Sequence, residues 1–95
     1  MVVEALGRAH YDRGHIPGAV NIPHDRVEEL APRLLPDRGA QVVTYCSNTA
    51  CRNSGIARSR LLAMGYSDVR AYADGKEDWE AAGLPLEAAA RGEAT

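Results

Sequence analysis

Val42-Val43-Thr44-Tyr45-Cys46-Ser47-Asn48-Thr49-Ala50-Cys51-Arg52-Asn53-Ser54 decides how this chain is read. Four β-prone residues lead into a cysteine, and a short run of small and polar residues follows. From about Gly55 to Met64 the pattern turns helical. A strand that ends on a cysteine and passes through a tight loop into a helix is suited to making a thiolate. Loop N–H groups and the first helical turn point at what sits there, and the helix dipole favours negative charge. Both effects lower a thiol pKa and raise its reactive fraction.

Outward from this stretch, strands alternate with helices. Val2 to Leu6 reads as a short strand, Arg8 to Arg13 as one or two helical turns, and Val20-Asn21-Ile22 as a strand that Pro23 stops. Asp25 is the expected N-cap of a helix over Arg26 to Leu35, with Val27, Leu30 and Leu34 at helical spacing and Pro32 expected to end or kink it. Gln41 to Tyr45 has the apolar continuity of a central parallel strand covered on both faces. In the helix that follows, Ile56, Leu61, Leu62 and Met64 mark the expected buried side, Arg58 and Arg60 the wet side, and Gly65 the C′ position. Val69 to Tyr72 is another strand. Asp74-Gly75 turns into a last helix, Lys76 to Ala82, whose Trp79 is expected to pack on the sheet. The pattern predicts an α/β fold with a mostly parallel sheet, in which a ligand site lies beyond the carboxyl ends of the strands. Cys46 falls at that place.

The bulk numbers narrow the function. The 95 residues make one small domain, with 45% hydrophobic and 25% charged residues. A formal net charge of −2 gives no electrostatic footprint for nucleic acid or an anionic membrane. No apolar run approaches the ~18 residues of a membrane span, and the N-terminus lacks the basic start and long apolar core of a signal peptide, so a cytoplasmic location is expected. The two cysteines, Cys46 and Cys51, have no His or carboxylate at ligand spacing, which argues against zinc, and a disulfide closing so small a loop would contribute little. A thiol role, with no metal and no cofactor, is the expectation.

Three blocks resemble single-domain rhodanese-like proteins. Gly14-His15-Ile16-Pro17-Gly18-Ala19-Val20-Asn21-Ile22-Pro23 is similar to their G-H-I-P-G-A-x-N-I-P segment. Tyr45-Cys46 followed by a helix ending Leu61-Leu62-Ala63-Met64-Gly65-Tyr66 resembles their active-site strand, loop and helix. Asp74 to Trp79 with Ala82-Gly83-Leu84-Pro85 is similar to their G-G-x-x-x-W…A-G-L-P ending. The resemblance implies a small parallel-sheet rhodanese-like fold with helices on both faces, a domain over residues 1–86 and a flexible tail over 87–95. It implies a sulfurtransferase in which Cys46 takes a sulfane sulfur from a small anionic donor such as thiosulfate and passes it, as a persulfide, to cyanide or a thiol. Ser47, Asn48, Thr49, Ala50, Cys51 and Arg52 form the loop that binds substrate, mainly through N–H groups.

The chain departs from the family pattern in three places. An Asp-x-Arg usually follows the first core strand; here Glu4 and Leu6 stand there, and the arginine is absent. Members usually carry a further short strand and helix before this point, and this sequence starts after them, so the expectation is either a sheet lacking an edge strand, which leaves room for a second copy of the chain to pair, or a truncated start. The common loop has four residues between cysteine and arginine, whereas five separate Cys46 from Arg52. That C-x5-R form is similar to the phosphatase and arsenate-reductase branch of the fold and gives an alternative function, with Arg52 clamping an oxyanion. A non-catalytic binding or redox-sensing module is a third reading. Arg52 is either an anion ligand or a solvated first-turn arginine. Cys51 is either a bystander or a resolving thiol. His15, in its Gly-His-Ile-Pro-Gly turn, is expected to satisfy backbone groups rather than act as a base.

Overall fold

A computed structural model describes residues 1–88. It contains strands β1 (Val2–Glu4), β2 (Val20–Asn21), β3 (Gln41–Tyr45) and β4 (Asp68–Tyr72) and helices α1 (Arg8–Arg13), α2 (Val27–Leu34), α3 (Asn53–Ala63) and α4 (Gly75–Ala81). The four strands form one parallel sheet in the order β2-β1-β3-β4. β1 and β3 are its centre, with Glu4 beside Tyr45 in one register and Tyr45 beside Tyr72 in the other.

Side chains alternate across the sheet, so each central strand feeds both faces. Val3 and Val42 face α2 and α3 in the main core with Ile22, Val27, Ala31, Ala57 and Leu61. Tyr45, the neighbour of Cys46 in sequence, faces the other way. It packs with Ile16 and Ala19, and Tyr11, Tyr72, Trp79 and Leu86 close around them under α1 and α4. The two faces differ in kind. The first is apolar; the second carries a buried acid and a buried lysine.

Several expectations need correction. Asp25 does not cap α2: Arg26 holds the N-cap position, without a side-chain cap. Pro32 lies inside α2, and the helix runs on for two residues after it. The Tyr66 hydroxyl, 3.1 Å from Ala31 O and 2.5 Å from Leu35 O, satisfies carbonyls at this end. The buried side of α3 is Ser54, Ala57 and Leu61, whereas Ile56 and Leu62 are 40% and 38% exposed. Small residues let the helix axis approach β3 closely, and the larger apolar ones are turned outward. Arg58 and Arg60 are not merely solvated. Arg58 Nε donates to Val69 O at 2.8 Å, Arg60 Nη1 donates to His24 O at 2.8 Å, and Arg60 Nε pairs with Glu28 at 3.1 Å. Glu87, expected to open the tail, exchanges two backbone hydrogen bonds with His15 (3.0 and 2.8 Å). The rest of the expected tail, 89–95, lies outside the described residues. No helix among the described residues is long and apolar enough to cross a membrane.

Candidate active site

Cys46 leaves the carboxyl end of β3 and is fully buried, and both cysteines are free. Three constraints shape the loop that begins there. First, Thr44 Oγ1 donates to Ser54 O at 2.8 Å, which ties the first turn of α3 to the strand that delivers the thiol. Second, the first N–H groups of α4 hold the start of the loop: Lys76 N donates to Cys46 O at 2.9 Å and Glu77 N to Ser47 O at 2.8 Å. A trans peptide sets its C=O and N–H on opposite sides. Turning these carbonyls toward α4 therefore turns the Ser47 and Asn48 N–H groups away from it, into the loop. Third, Asn48 closes the far side: its Oδ1 accepts from Ala50 N (3.0 Å) and its carbonyl from Cys51 N (3.0 Å).

Gly75 makes the second constraint feasible. Its φ is +66°, and a Cβ placed on it would stand 2.5 Å from Cys46 O and 2.9 Å from Ser47 C. Only glycine permits both that backbone conformation and that approach.

Under the loop lies a buried polar network. Glu4 Oε1 accepts from the Tyr45 hydroxyl at 2.7 Å, and that hydroxyl accepts from Ile16 N at 3.0 Å. Glu4 Oε2 accepts from Lys76 Nζ at 3.0 Å, and the same ammonium donates to Gly14 O at 2.7 Å and His10 O at 3.2 Å. Burial and the carboxylate beside it push the Tyr45 phenol far above its ordinary value. Lys76 thus supplies, from 72 residues away, the cation that Leu6 does not. The sequence reading missed this residue. Its only signal was the charged Glu4 itself, set in a core strand between apolar residues and so in need of a buried partner.

The thiols behave differently from the sequence expectation. Burial pushes the Cys46 thiol up, and the neighbouring Cys51 pushes it further; the Ser54 N–H and hydroxyl pull the other way without overcoming this. For Cys51, burial raises the thiol, but the Cys46 S–H, the N–H groups of Asn53 and Ser47 and the Ser47 hydroxyl outweigh it and leave it below its ordinary value. The loop and helix donors thus lower the thiol of Cys51 rather than that of Cys46. Cys46 Sγ lies 3.3 Å from Cys51 O.

The remaining loop residues divide between two recesses. Cys51 and Arg52 line an open groove of about 570 Å³ that runs along α3 and β4 past Ile56, Arg60 and Ala71. Asn48 and Thr49 border a smaller recess of about 330 Å³ whose other walls include Asp74, Glu77 and Asp78. Arg52 is exposed and stands at the N-cap of α3. Ala50 is exposed and contributes its N–H to the Asn48 turn. His15 stacks on Tyr11 (3.8 Å between ring centroids), with Nδ1 2.9 Å from Tyr11 O, on the far face of the sheet. Trp79 donates from Nε1 to Pro85 O at 2.8 Å and helps close the core under α4. Among the described residues, no three His, Cys, Asp or Glu side chains gather as metal ligands.

A family model for the rhodanese-like domain matches residues 2–82. The chain is 36% identical over 87 residues to the HTH-type transcriptional regulator Rv0324 of Mycobacterium tuberculosis, a match covering 90% of this chain and 37% of that protein. It is 41% identical over 59 residues to the thiosulfate sulfurtransferase PspE of Escherichia coli, covering 62% of this chain and 55% of that one. It therefore spans less than two thirds of either relative. Among solved structures, a rhodanese with anions from E. coli superposes with a TM-score of 0.76 at 31% identity, over 93% of this chain and 96% of that one.

Proposed function

The chain belongs to the rhodanese-like domain family, and from that premise we propose that it is a sulfurtransferase that carries a sulfane sulfur on Cys46 between an anionic donor and a thiophilic acceptor. The observation that carries this reading is the loop itself. Its first two carbonyls are drawn onto α4, so that N–H groups face inward around a cysteine at the end of the central strand. Such a cradle suits an anion and the sulfur it delivers. The partial match to a protein named as a thiosulfate sulfurtransferase supports thiosulfate as donor.

The chemistry follows from the thiol pair. Cys46 gives its proton to the Cys51 thiolate and attacks the sulfane sulfur of thiosulfate. The Cys46 Sγ–S bond forms, the S–S bond of thiosulfate breaks, and sulfite leaves with the electron pair. An acceptor then attacks the outer sulfur and frees Cys46 as a thiolate. Cyanide would leave as thiocyanate and a thiol as a persulfide. The covalent intermediate divides one difficult transfer into two displacements. Thiocyanate formation from thiosulfate and cyanide tests the reading: the wild-type chain turns over and Cys46→Ala does not. Absence of turnover by the wild type with thiosulfate or any other sulfane donor would refute it.

A second reading draws on the relative named as a transcriptional regulator, which matches 90% of this chain. In it the same loop senses sulfane sulfur or oxidants and reports the state of Cys46 and Cys51 to a partner without turnover. Single-turnover loading with no multiple turnover would favour it. The C-x5-R phosphatase or arsenate-reductase reading has less support. Arg52 is exposed and lines the groove with Cys51, whereas Cys46, which would have to attack the oxyanion that Arg52 clamps, is not among that groove's lining residues.

A further inference from the structure

Cys46 is sealed, and Cys51 is not. Cys46 has no exposed surface, whereas Cys51 is half-buried and opens onto the α3–β4 groove. A small anion needs only a slight opening of the loop to reach Cys46. A thiol carried on a peptide cannot follow it there. Resting on the sulfurtransferase reading, we propose that Cys51 is a second sulfur carrier, which takes the outer sulfur from the Cys46 persulfide and presents it to an anionic thiol acceptor in the groove.

The direction of the Cys46 S–H supports this. It is aimed at Cys51, whose carbonyl oxygen is 3.3 Å from Cys46 Sγ. The two residues therefore adjoin across the loop, and the outer sulfur of a Cys46 persulfide is held beside Cys51. Asn53 N–H and Ser47 N–H also draw the Cys51 thiol below its ordinary value, which favours it as the attacking sulfur. In the transfer, the proton that Cys51 took up during loading passes to the outer sulfur, and Cys51 Sγ⁻ then attacks the outer sulfur of Cys46 Sγ–SH. A Cys51 Sγ–S bond forms and the Cys46 Sγ–S bond breaks. The electron pair stays on Cys46 Sγ, and the proton travels with the outer sulfur. Nothing is oxidised or reduced overall, and Ser54 N–H and hydroxyl stand ready to stabilise the Cys46 thiolate that leaves.

The groove fits the acceptor's charge. Arg52 lines it and is exposed; Arg60, already paired with Glu28, borders it; Ile56, Ala71 and Ala73 give it an apolar floor, and no carboxylate is among its lining residues. Glutathione, a thiol with two carboxylates, is the probe.

The test localises the sulfur within the full chain. Protein loaded with thiosulfate is alkylated, and fragment masses between residues 46 and 51 assign the added sulfur. In the wild type it is expected first on Cys46 and then on Cys51. In Cys51→Ser and Cys51→Ala loading itself slows, because the proton acceptor is gone, but the sulfur that loads stays on Cys46; followed from already loaded protein, its transfer to glutathione slows about ten-fold while its discharge by cyanide, which needs no second thiol, changes much less. Cys46→Ser acquires none from thiosulfate. Sulfur found only on Cys46 in the wild type, with glutathione transfer from Cys51→Ser at the wild-type rate, overturns the relay alone. A Cys46–Cys51 disulfide with release of sulfide overturns it in favour of a resolving thiol. No loading of the wild type at all removes the relay and the sulfurtransferase reading together.

Discussion

Lys76 Nζ stands 3.0 Å from Glu4 Oε2, and the two side chains are 11% and 0% exposed. The pair joins the first strand to the last helix directly beneath the loop, and Tyr45 completes it. A buried ion pair is a weak source of net stability but costly to break, because the partner left behind has no water. Lys76→Met and Glu4→Gln should each destabilise the fold by about 3 kcal/mol. The double variant should lose clearly less than the sum of the two. Urea unfolding midpoints at constant m-value measure this. Simple additivity would mean that the two side chains are not coupled.

Gly75→Ala tests the contact between α4 and the loop. The added methyl would meet Cys46 O at 2.5 Å in a backbone conformation with φ of +66° that L side chains avoid. The turn must shift, and with it the hydrogen bonds from Lys76 N and Glu77 N that orient the loop. The expected outcome is destabilisation of about 2 kcal/mol or more and a larger fractional loss of sulfur loading at temperatures where the variant remains folded. Loading equal to wild type would separate α4 from the chemistry.

The opposed thiols make a signed prediction about pH. Cys51 is held below and Cys46 above the ordinary thiol range. As pH rises, Cys51 therefore ionises first, and its alkylation midpoint lies below that of a free thiol; Cys46 becomes reactive only above it. Cys46→Ala removes the S–H donor and should move the Cys51 midpoint up. Cys51→Ala removes the neighbouring thiolate and should move the Cys46 midpoint down. Alkylation rates followed peptide by peptide give both. Coincident midpoints in the wild type, or shifts of the opposite sign, would contradict the shared-proton arrangement.

Arg52 lies at the surface of the groove, so its effect is expected to be modest and salt-dependent. Arg52→Ala should raise KM for thiosulfate roughly two- to five-fold at low ionic strength, with little change in kcat, and the difference should shrink in high salt. An unchanged KM removes Arg52 from donor binding.

The order of elements was legible because Val42 to Tyr45 is an unbroken run of β-prone residues, and Gly and Pro punctuate what surrounds it. Cys46 was placed at the end of that strand by the same pattern. What was not legible depends on distant or close-range packing. Hydrophobicity put Ile56 and Leu62 inside α3, but the helix approaches the sheet through Ser54, Ala57 and Leu61. Lys76 reads as a solvated residue of a short helix, and its partner Glu4 is 72 positions away. The helix-dipole argument takes Cys46 as the thiol that the loop lowers, whereas in the structure Cys46 is shifted up and Cys51 down. It does not include the burial of Cys46 or the presence of a second sulfur to take the charge.

Intact mass after incubation with thiosulfate tests the central claim most directly. The wild-type chain should gain the mass of one sulfur with release of one sulfite, lose it on addition of cyanide with formation of thiocyanate, and Cys46→Ser should gain none. A wild-type chain that gains no mass with any sulfane donor, or a Cys46→Ser chain that gains as much as the wild type, would contradict the account.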